Sequence, residues 1–388
     1  MRLVVPKRVS AYLADPRILL GLYLLAAAVV ALHKMALGGF EMGGRIYPPY
    51  QNYIAFRNAF FHLLARQDLY AAFPMGQQAD LFKYTPTWAL FMAPIAALPY
   101  TAGALAWNML NAGALFAAVL WVPTVSRRAR VWILWFVFLS LVTSMQNAQS
   151  NGLMAGLMLG AFAARERQRP AVAALLVMVA AFGKPFGLFA VLACLSQPGL
   201  RRFLAWVVVW GIALLLLPLV VVSPGYLTFL YRSWFDLLQH DHATKAGLSV
   251  MSWLTAWFGL TPPKDLVIAV GGLLLLLPLA RPSRLDDAIT RTGLIASVLV
   301  FVVIFNHMAE SPTYVIAVLG VALWYFSRQP TRLDTALVAT TFALTCLAST
   351  DLIPLSVRTR VVAPFMLKAV PCIAVWVKLQ YDLLLRQP

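Results

Sequence analysis

From Ile18 to Leu37 the chain carries an apolar run of about 20 residues. At about 1.5 Å of rise per residue a helix of that length crosses a hydrocarbon core of about 30 Å. Inside such a core every backbone amide must be paired within the chain, so a sequence built from such runs is committed to helices. Further apolar runs occupy 102–122, 131–145, 151–164, 171–183, 185–196, 203–222, 265–280, 292–306, 312–327, 333–348 and 361–379. With the first they give twelve candidate spans and predict an all-α polytopic membrane protein, a single integral domain over residues 1–388. A composition of 61% hydrophobic and 12% charged residues agrees, because it lies outside soluble globular usage.

The loops then set the topology. Lys7, Arg8 and Arg17 precede the first run, and no small-residue cleavage site closes it, so it reads as an anchor and not a removed signal. Short basic segments, "SRRAR" (126–130), "RERQR" (165–169), "LRR" (200–202), "RPSRLDDAITR" (281–291) and "SRQPTR" (327–332), separate later runs. If each is cytoplasmic, both termini lie inside a bacterial-type inner membrane. The net charge of +17 is therefore a topology signal, not a nucleic-acid footprint. The alternation holds if "YTPTWALFMAPIAALP" (84–99) lies in the outer interface without crossing. A first outer region over 38–100, with juxtamembrane helices, and a second large outer loop over 223–264 follow. Cys194, Cys346 and Cys372 sit in or beside apolar runs and read as buried small hydrophobes.

On that topology the polar anomalies gather on the outer face. In "QNAQSN" (146–151), Gln146, Asn147, Gln149, Ser150 and Asn151 interrupt two apolar runs. Ser150 or Asn151 suits a helix cap, yet a cap needs one or two such residues, and amides offer the donors and acceptors that sugar hydroxyls require. Lys184 is a lone cation before Pro185, placed to meet a phosphate or to snorkel. In "FDLLQHDHATKAGLSVMSWL" (235–254), His240, Asp241, His242, Lys245 and Ser249 cluster; adjacent helical positions diverge, which favours a base with cationic neighbours over a metal site. His307 and Glu310 are three apart and would share a helical face. The first outer loop holds Glu41, Asp68 and Asp80, with Asp68 reading as a turn after a surface helix over Tyr53–Leu64 that interleaves Arg57, Asn58 and His62.

Ordered this way, the sequence resembles the GT-C membrane glycosyltransferases, and within them glycosyltransferase family 87, whose members use polyprenol-phosphate-mannose. "NYIAFRNAFFHLLARQDLY" is similar to that family's first outer loop, "LFKYTPTWALFMAPIAALP" to its Tyr-x-Pro segment and "QNAQSN" to its polar entry to the fourth span. "GLSVMSWL" and "NHMAESPTYVIA" resemble two later outer-face motifs. The resemblance implies a GT-C-like fold of about twelve helices and transfer of a hexose, mannose in the family pattern, from a polyprenyl-phosphate donor to a glycan or glycolipid hydroxyl, with a first-loop carboxylate as base. This chain departs from the pattern at Asn52, where the family usually has Asp and where an amide cannot act as base.

The expected enzyme is thus an inverting, metal-independent glycosyltransferase without a cofactor, working in the lipid bilayer and binding no nucleic acid. Asp80, Asp241, Glu310 and Glu41, in that order, are its candidate bases. Lys184, His307, Lys245, His240 and His242 are candidate donor-phosphate contacts, and Asn52, Gln146, Asn147, Gln149, Asn151 and Ser249 candidate sugar contacts. A flippase for lipid-linked saccharide and a non-catalytic binding subunit are the rivals. Transporters show internal repeats and broken helix pairs in both halves; no such repeat stands out here.

Overall fold

The computed structural model describes residues 15–42, 45–72, 78, 80–244, 247–350 and 352–385. It is a bundle of helices with one small hairpin. Helix α1 (Pro16–Ala36) starts where Asp15 accepts a hydrogen bond from the Arg17 amide at 2.8 Å, with Pro16 filling the first helical position. Strands β1 (Phe40–Met42) and β2 (Arg45–Tyr47) pair antiparallel, Glu41 opposite Ile46, and lead into α2 (Gln51–Leu64). This hairpin is a local exception to the all-helical expectation.

Residues 84–99, the segment expected not to cross, form two short helices, α3 (Pro86–Phe91) and α4 (Ala93–Ala96). At about 1.5 Å per residue neither reaches across a bilayer. Then come α5 (Tyr100–Trp121), α6 (Arg127–Gln146), α7 (Asn151–Glu166) and α8 (Pro170–Gly183). Pro185 removes the next amide donor, and the chain breaks at Lys184 before a 3-10 turn over Pro185–Phe189 and α9 (Ala190–Cys194). Gly187 packs against α8 so closely that a Cβ there would lie 2.5 Å from the Ala180 carbonyl carbon.

Helices α10 (Leu200–Leu216), α11 (Pro224–Thr244), α12 (Val250–Phe258), α13 (Lys264–Leu276), α14 (Ala288–Ile304), α15 (Tyr314–Phe326), α16 (Arg332–Thr341) and α17 (Val370–Leu385) complete the bundle. The segment 223–264, expected as a loop, is largely helical in α11 and α12. The run 361–379 is α-helical only from Val370, because the chain turns over 363–369. Among the described residues, Pro16–Ala36, Tyr100–Trp121, Arg127–Gln146 and Leu200–Val220 are long and apolar enough to cross a membrane. Pro170–Gly183, Pro185–Cys194, Ala288–Ile304 and Ser311–Phe326 are shorter apolar helices.

The interior is built around α14 and α15, buried on all sides over Thr292–Ile304 and Tyr314–Trp324. They meet where Gly320 faces the Ala296 carbonyl, which a Cβ would approach to 2.6 Å. By contrast α10 and α13 expose Val208, Ile212, Leu266 and Leu273, an outward apolar face suited to lipid. The basic segments also bind the helix ends together. Fully buried Arg165 donates to the carbonyls of Gln197 at 2.9 Å and Pro198 at 3.0 Å, and Arg291 pairs with Glu166 at 2.7 Å. Arg328 reaches Asp334 at 3.0 Å and Asp382 at 3.1 Å, joining α15, α16 and α17.

A Cβ at position 187 has no room, whereas one at Gly113 meets nothing within 4 Å. Gly187→Ala is therefore expected to lower stability by about 1–3 kcal/mol, and Gly113→Ala to leave it unchanged or raise it by up to about 1 kcal/mol. Thermal unfolding of the two purified variants in detergent checks this.

Candidate active site

One cavity of about 500 Å³ opens where α2, the 80–84 segment, the 146–151 turn, the Lys184 break and the 305–313 segment converge. Its polar lining includes Asn52, Asp80, Lys83, Gln149, Lys184, His307 and Glu310. Phe189, Leu238, Ile268, Phe301 and Phe305 make an apolar wall.

The polar residues form a directed chain. The Lys184 ammonium donates to Asn151 Oδ1 at 2.6 Å, Asn151 Nδ2 donates to Gln149 Oε1 at 2.6 Å, and Gln149 Nε2 donates to Glu310 Oε2 at 2.9 Å. Each amide accepts on the side of the cation and donates on the side of the carboxylate. That is the polarity the two charges impose, and hydrogen bonds to charged groups are the stronger kind. Lys184 stands in the break between α8 and the following turn, near the faces of Tyr84 at 5.9 Å and Phe186 at 5.8 Å. Burial pulls its ammonium down to about 8, and the Glu310 charge acts in the opposite direction. Tyr84 is held in turn by Ser150 Oγ at 2.8 Å, by stacking on Trp88 and by the edge of Phe56.

Several expectations change here. Ser150 occupies the cap position of α7 but makes no capping bond, because its hydroxyl is engaged with Tyr84. Asn151 is fully buried behind the lining and supports Lys184 and Gln149 instead of facing the cavity. His307 and Glu310 do not share a helical face, since α14 ends at Ile304 and the chain turns; both line the cavity all the same. The Glu310 amide donates to Thr313 Oγ1 at 3.2 Å, which fixes the start of the next helical turn.

The remaining candidates lie elsewhere. Gln146 is exposed at the end of α6, and Asn147 donates its amide to the Thr143 carbonyl at 3.0 Å; neither side chain lines the cavity. Ser249 is buried at the start of α12, away from the lining. Glu41 is exposed on the hairpin. His240 sits on α11 with Nδ1 2.7 Å from the Asp236 carbonyl oxygen. The side chains of Asp241 and His242, and all of Lys245, lie outside the described residues. Among those described, no group of three or more His, Cys, Asp or Glu is arranged to hold a metal. Asp68 closes a turn, accepting from the Tyr70 amide at 3.1 Å and from Ser233 Oγ at 2.9 Å.

Asn52 lines the cavity, and its Nδ2 donates to the Asn147 carbonyl at 3.0 Å. A carboxylate could not donate there, so this position is built for an amide. Asp80, exposed at the mouth, accepts from the Leu81 amide at 2.9 Å through Oδ1. Tyr84 is the tyrosine of the Tyr-x-Pro segment and Lys83 its neighbour, while the apolar wall carried no local signal.

Fold and cavity together define a helical membrane protein with a charged pocket set into an apolar bundle. The chain matches the model of glycosyltransferase family 87 over residues 82–350 and belongs to that family. It is a membrane glycosyltransferase. No curated protein matches its sequence. Its structure is similar to that of ArnT from Cupriavidus metallidurans, solved with undecaprenyl phosphate bound, at a TM-score of 0.44 and 13% identity, over 94% of this chain and 76% of that one.

Asn151→Leu is expected to cost about 1–3 kcal/mol by removing the acceptor of a buried ammonium. Asn147→Ala, at an exposed amide, should cost less than about 1 kcal/mol. Chemical or thermal unfolding of the two variants side by side is the check.

Proposed function

We propose that the chain moves a hexose, mannose by the family pattern, from a polyprenyl-phosphate donor to a hydroxyl of a glycan or glycolipid acceptor on the outer face of the membrane. The observation that carries this reading is the shared cavity. It sets two lysines, two carboxylates and three side-chain amides beside an aromatic and aliphatic wall that draws on α11, α13 and α14. A lipid-borne donor needs both halves: an apolar path for the prenyl chain and a polar end for phosphate and sugar.

In the proposed reaction the acceptor hydroxyl attacks the anomeric carbon from the face opposite the phosphate, which inverts the configuration. Asp80 takes the hydroxyl proton as the new C–O bond forms. Meanwhile the bond from the anomeric carbon to the phosphate oxygen breaks, and polyprenyl phosphate leaves with the electron pair. Lys184, with His307 in the same lining, stabilises the charge gathering on that phosphate. Asp80 is assigned the base because its exposed carboxylate lines the cavity and, among the described residues, accepts only from the amide of its own neighbour Leu81, whereas the Glu310 carboxylate accepts from Gln149 and anchors the chain leading to Lys184. Asn52 and Gln149 are placed to meet sugar hydroxyls. No step uses a metal or cofactor.

The test is transfer of radiolabelled mannose from polyprenyl-phosphate-mannose to membrane acceptors by the purified protein. Asp80→Asn is expected to lower turnover by about 10²–10⁴-fold while donor binding is retained. Glu310→Gln should mainly weaken donor binding. Full activity in Asp80→Asn would remove the base from Asp80. Absence of transfer by the wild type across several lipid-phosphate sugars would favour the flippase or binding-subunit alternative.

The affinity for polyprenyl phosphate is also expected to depend on pH. Lys184 loses its proton near pH 8 in the free protein, and a bound phosphate raises that value. Binding should therefore be strongest below pH 8 and fall by up to about tenfold per unit above it until the raised value is passed. Lys184→Gln should flatten this limb in a binding titration.

A further inference from the structure

A second pocket, of about 330 Å³, lies on the opposite side of α2 from the candidate active site. At about 100° per residue along the helix, Asn52 and Phe56 fall on the side of the first cavity and Ile54 and Arg57 on the far side, with Asn58 and His62 extending the second lining along the flank. Pro48 and Tyr100 complete the second lining.

This pocket is built, not a gap between loose loops. Its rim is pinned by Gln51, whose amide donates to the Pro48 carbonyl at 2.7 Å, and by the Tyr100 hydroxyl, which donates to Pro49. Tyr50 holds a left-handed backbone at φ 63°, an unusual state for a non-glycine residue, and its hydroxyl donates to the Val30 carbonyl at 3.0 Å.

Its chemistry is one-sided. Among the described residues, no carboxylate lines it. Arg57 Nε is buried without a hydrogen-bond partner, and the guanidinium lies over the Phe61 ring at 4.9 Å, which orients it without neutralising it. The Tyr53 hydroxyl, on the same helix, is also buried and unpaired. A half-buried cation with open donors costs free energy unless an anion completes it. The guanidinium fork, an amide and an imidazole suit a phosphate, and Pro48, Ile54 and Tyr100 suit an apolar body carrying it.

We propose that this pocket is a second anion site, which takes a phosphate group through Arg57, Asn58 and His62 while Pro48, Ile54 and Tyr100 contact the body behind it. The phosphate comes either from a lipid headgroup at the membrane surface or from free phosphate.

The experiment counts ligands on the full chain in neutral detergent by native mass spectrometry and titration calorimetry. The probes are dioctanoyl phosphatidic acid and inorganic phosphate, with dioctanoylglycerol as the phosphate-free control. Wild type is expected to bind two equivalents of phosphatidic acid, and Arg57→Gln and Lys184→Gln one each, with affinity for the lost site down at least tenfold. Inorganic phosphate filling the Arg57-dependent site would name free phosphate as the source; filling by the lipid probe alone would name a headgroup. Asn58→Leu, which leaves Arg57 in place and narrows the pocket, should lose the same equivalent even if Arg57→Gln does not fold. One equivalent in the wild type, lost with Arg57→Gln and kept in Lys184→Gln, would uphold this site and remove the phosphate role from Lys184. Retention of every wild-type equivalent in both Arg57→Gln and Asn58→Leu, equal binding of dioctanoylglycerol, or no binding by the wild type would overturn it.

Discussion

The candidate site depends on holding an ammonium and a carboxylate apart at the edge of an apolar bundle. Placed in direct contact, Lys184 and Glu310 would neutralise each other and leave little charge for a ligand. The two amides between them prevent that contact while giving each charge a hydrogen-bonded partner. A buried polar network is favourable only when its members are satisfied. Asn151 and Gln149 do this with both ends of their amides, which no hydroxyl or single charge at either position would reproduce. The polar stretch that seemed costly in so apolar a chain is what makes a cation and a carboxylate tolerable in one pocket.

The rest of the architecture delivers these four residues to one place. Pro185 stops α8 and leaves Lys184 in an extended turn, facing the cavity instead of lipid. Gly187 lets the chain after the break fold back against Ala180. The packing of α14 on α15 fixes the connection that carries His307 and Glu310. Tyr84, clasped between Trp88, Phe56 and Ser150, closes the side next to Asp80. The basic segments that mark topology also have an internal role: Arg165, Arg291 and Arg328 bind helix ends through buried or half-buried contacts.

Much of the site could be read along the chain. Lys184 beside Pro185, the amides of "QNAQSN", and His307 near Glu310 each break an apolar pattern, and such breaks are visible in one dimension because polar groups in these surroundings are costly. Legibility failed where identity and orientation part company. Asn147 and Gln149 are chemically alike and two residues apart, yet Gln149 lines the cavity and the Asn147 side chain turns back to its own helix. Ser150 looked like a cap and serves as a clasp. Phe189, Ile268 and Phe305 have the character of ordinary core residues, and nothing local marks them as a wall.

What the sequence determined by itself is the class of solution: apolar runs long enough to demand internal pairing of their backbone groups force a helical membrane protein, and its motifs place it in glycosyltransferase family 87. What only the tertiary structure decided is which polar residues meet. Asn52, Asp80, Gln149, Lys184 and Glu310 come from five separate segments, and their convergence follows from helix packing and turn geometry. Hydrophobic periodicity reports whether a residue is costly to bury, while the partner that removes the cost is chosen by contacts across the fold.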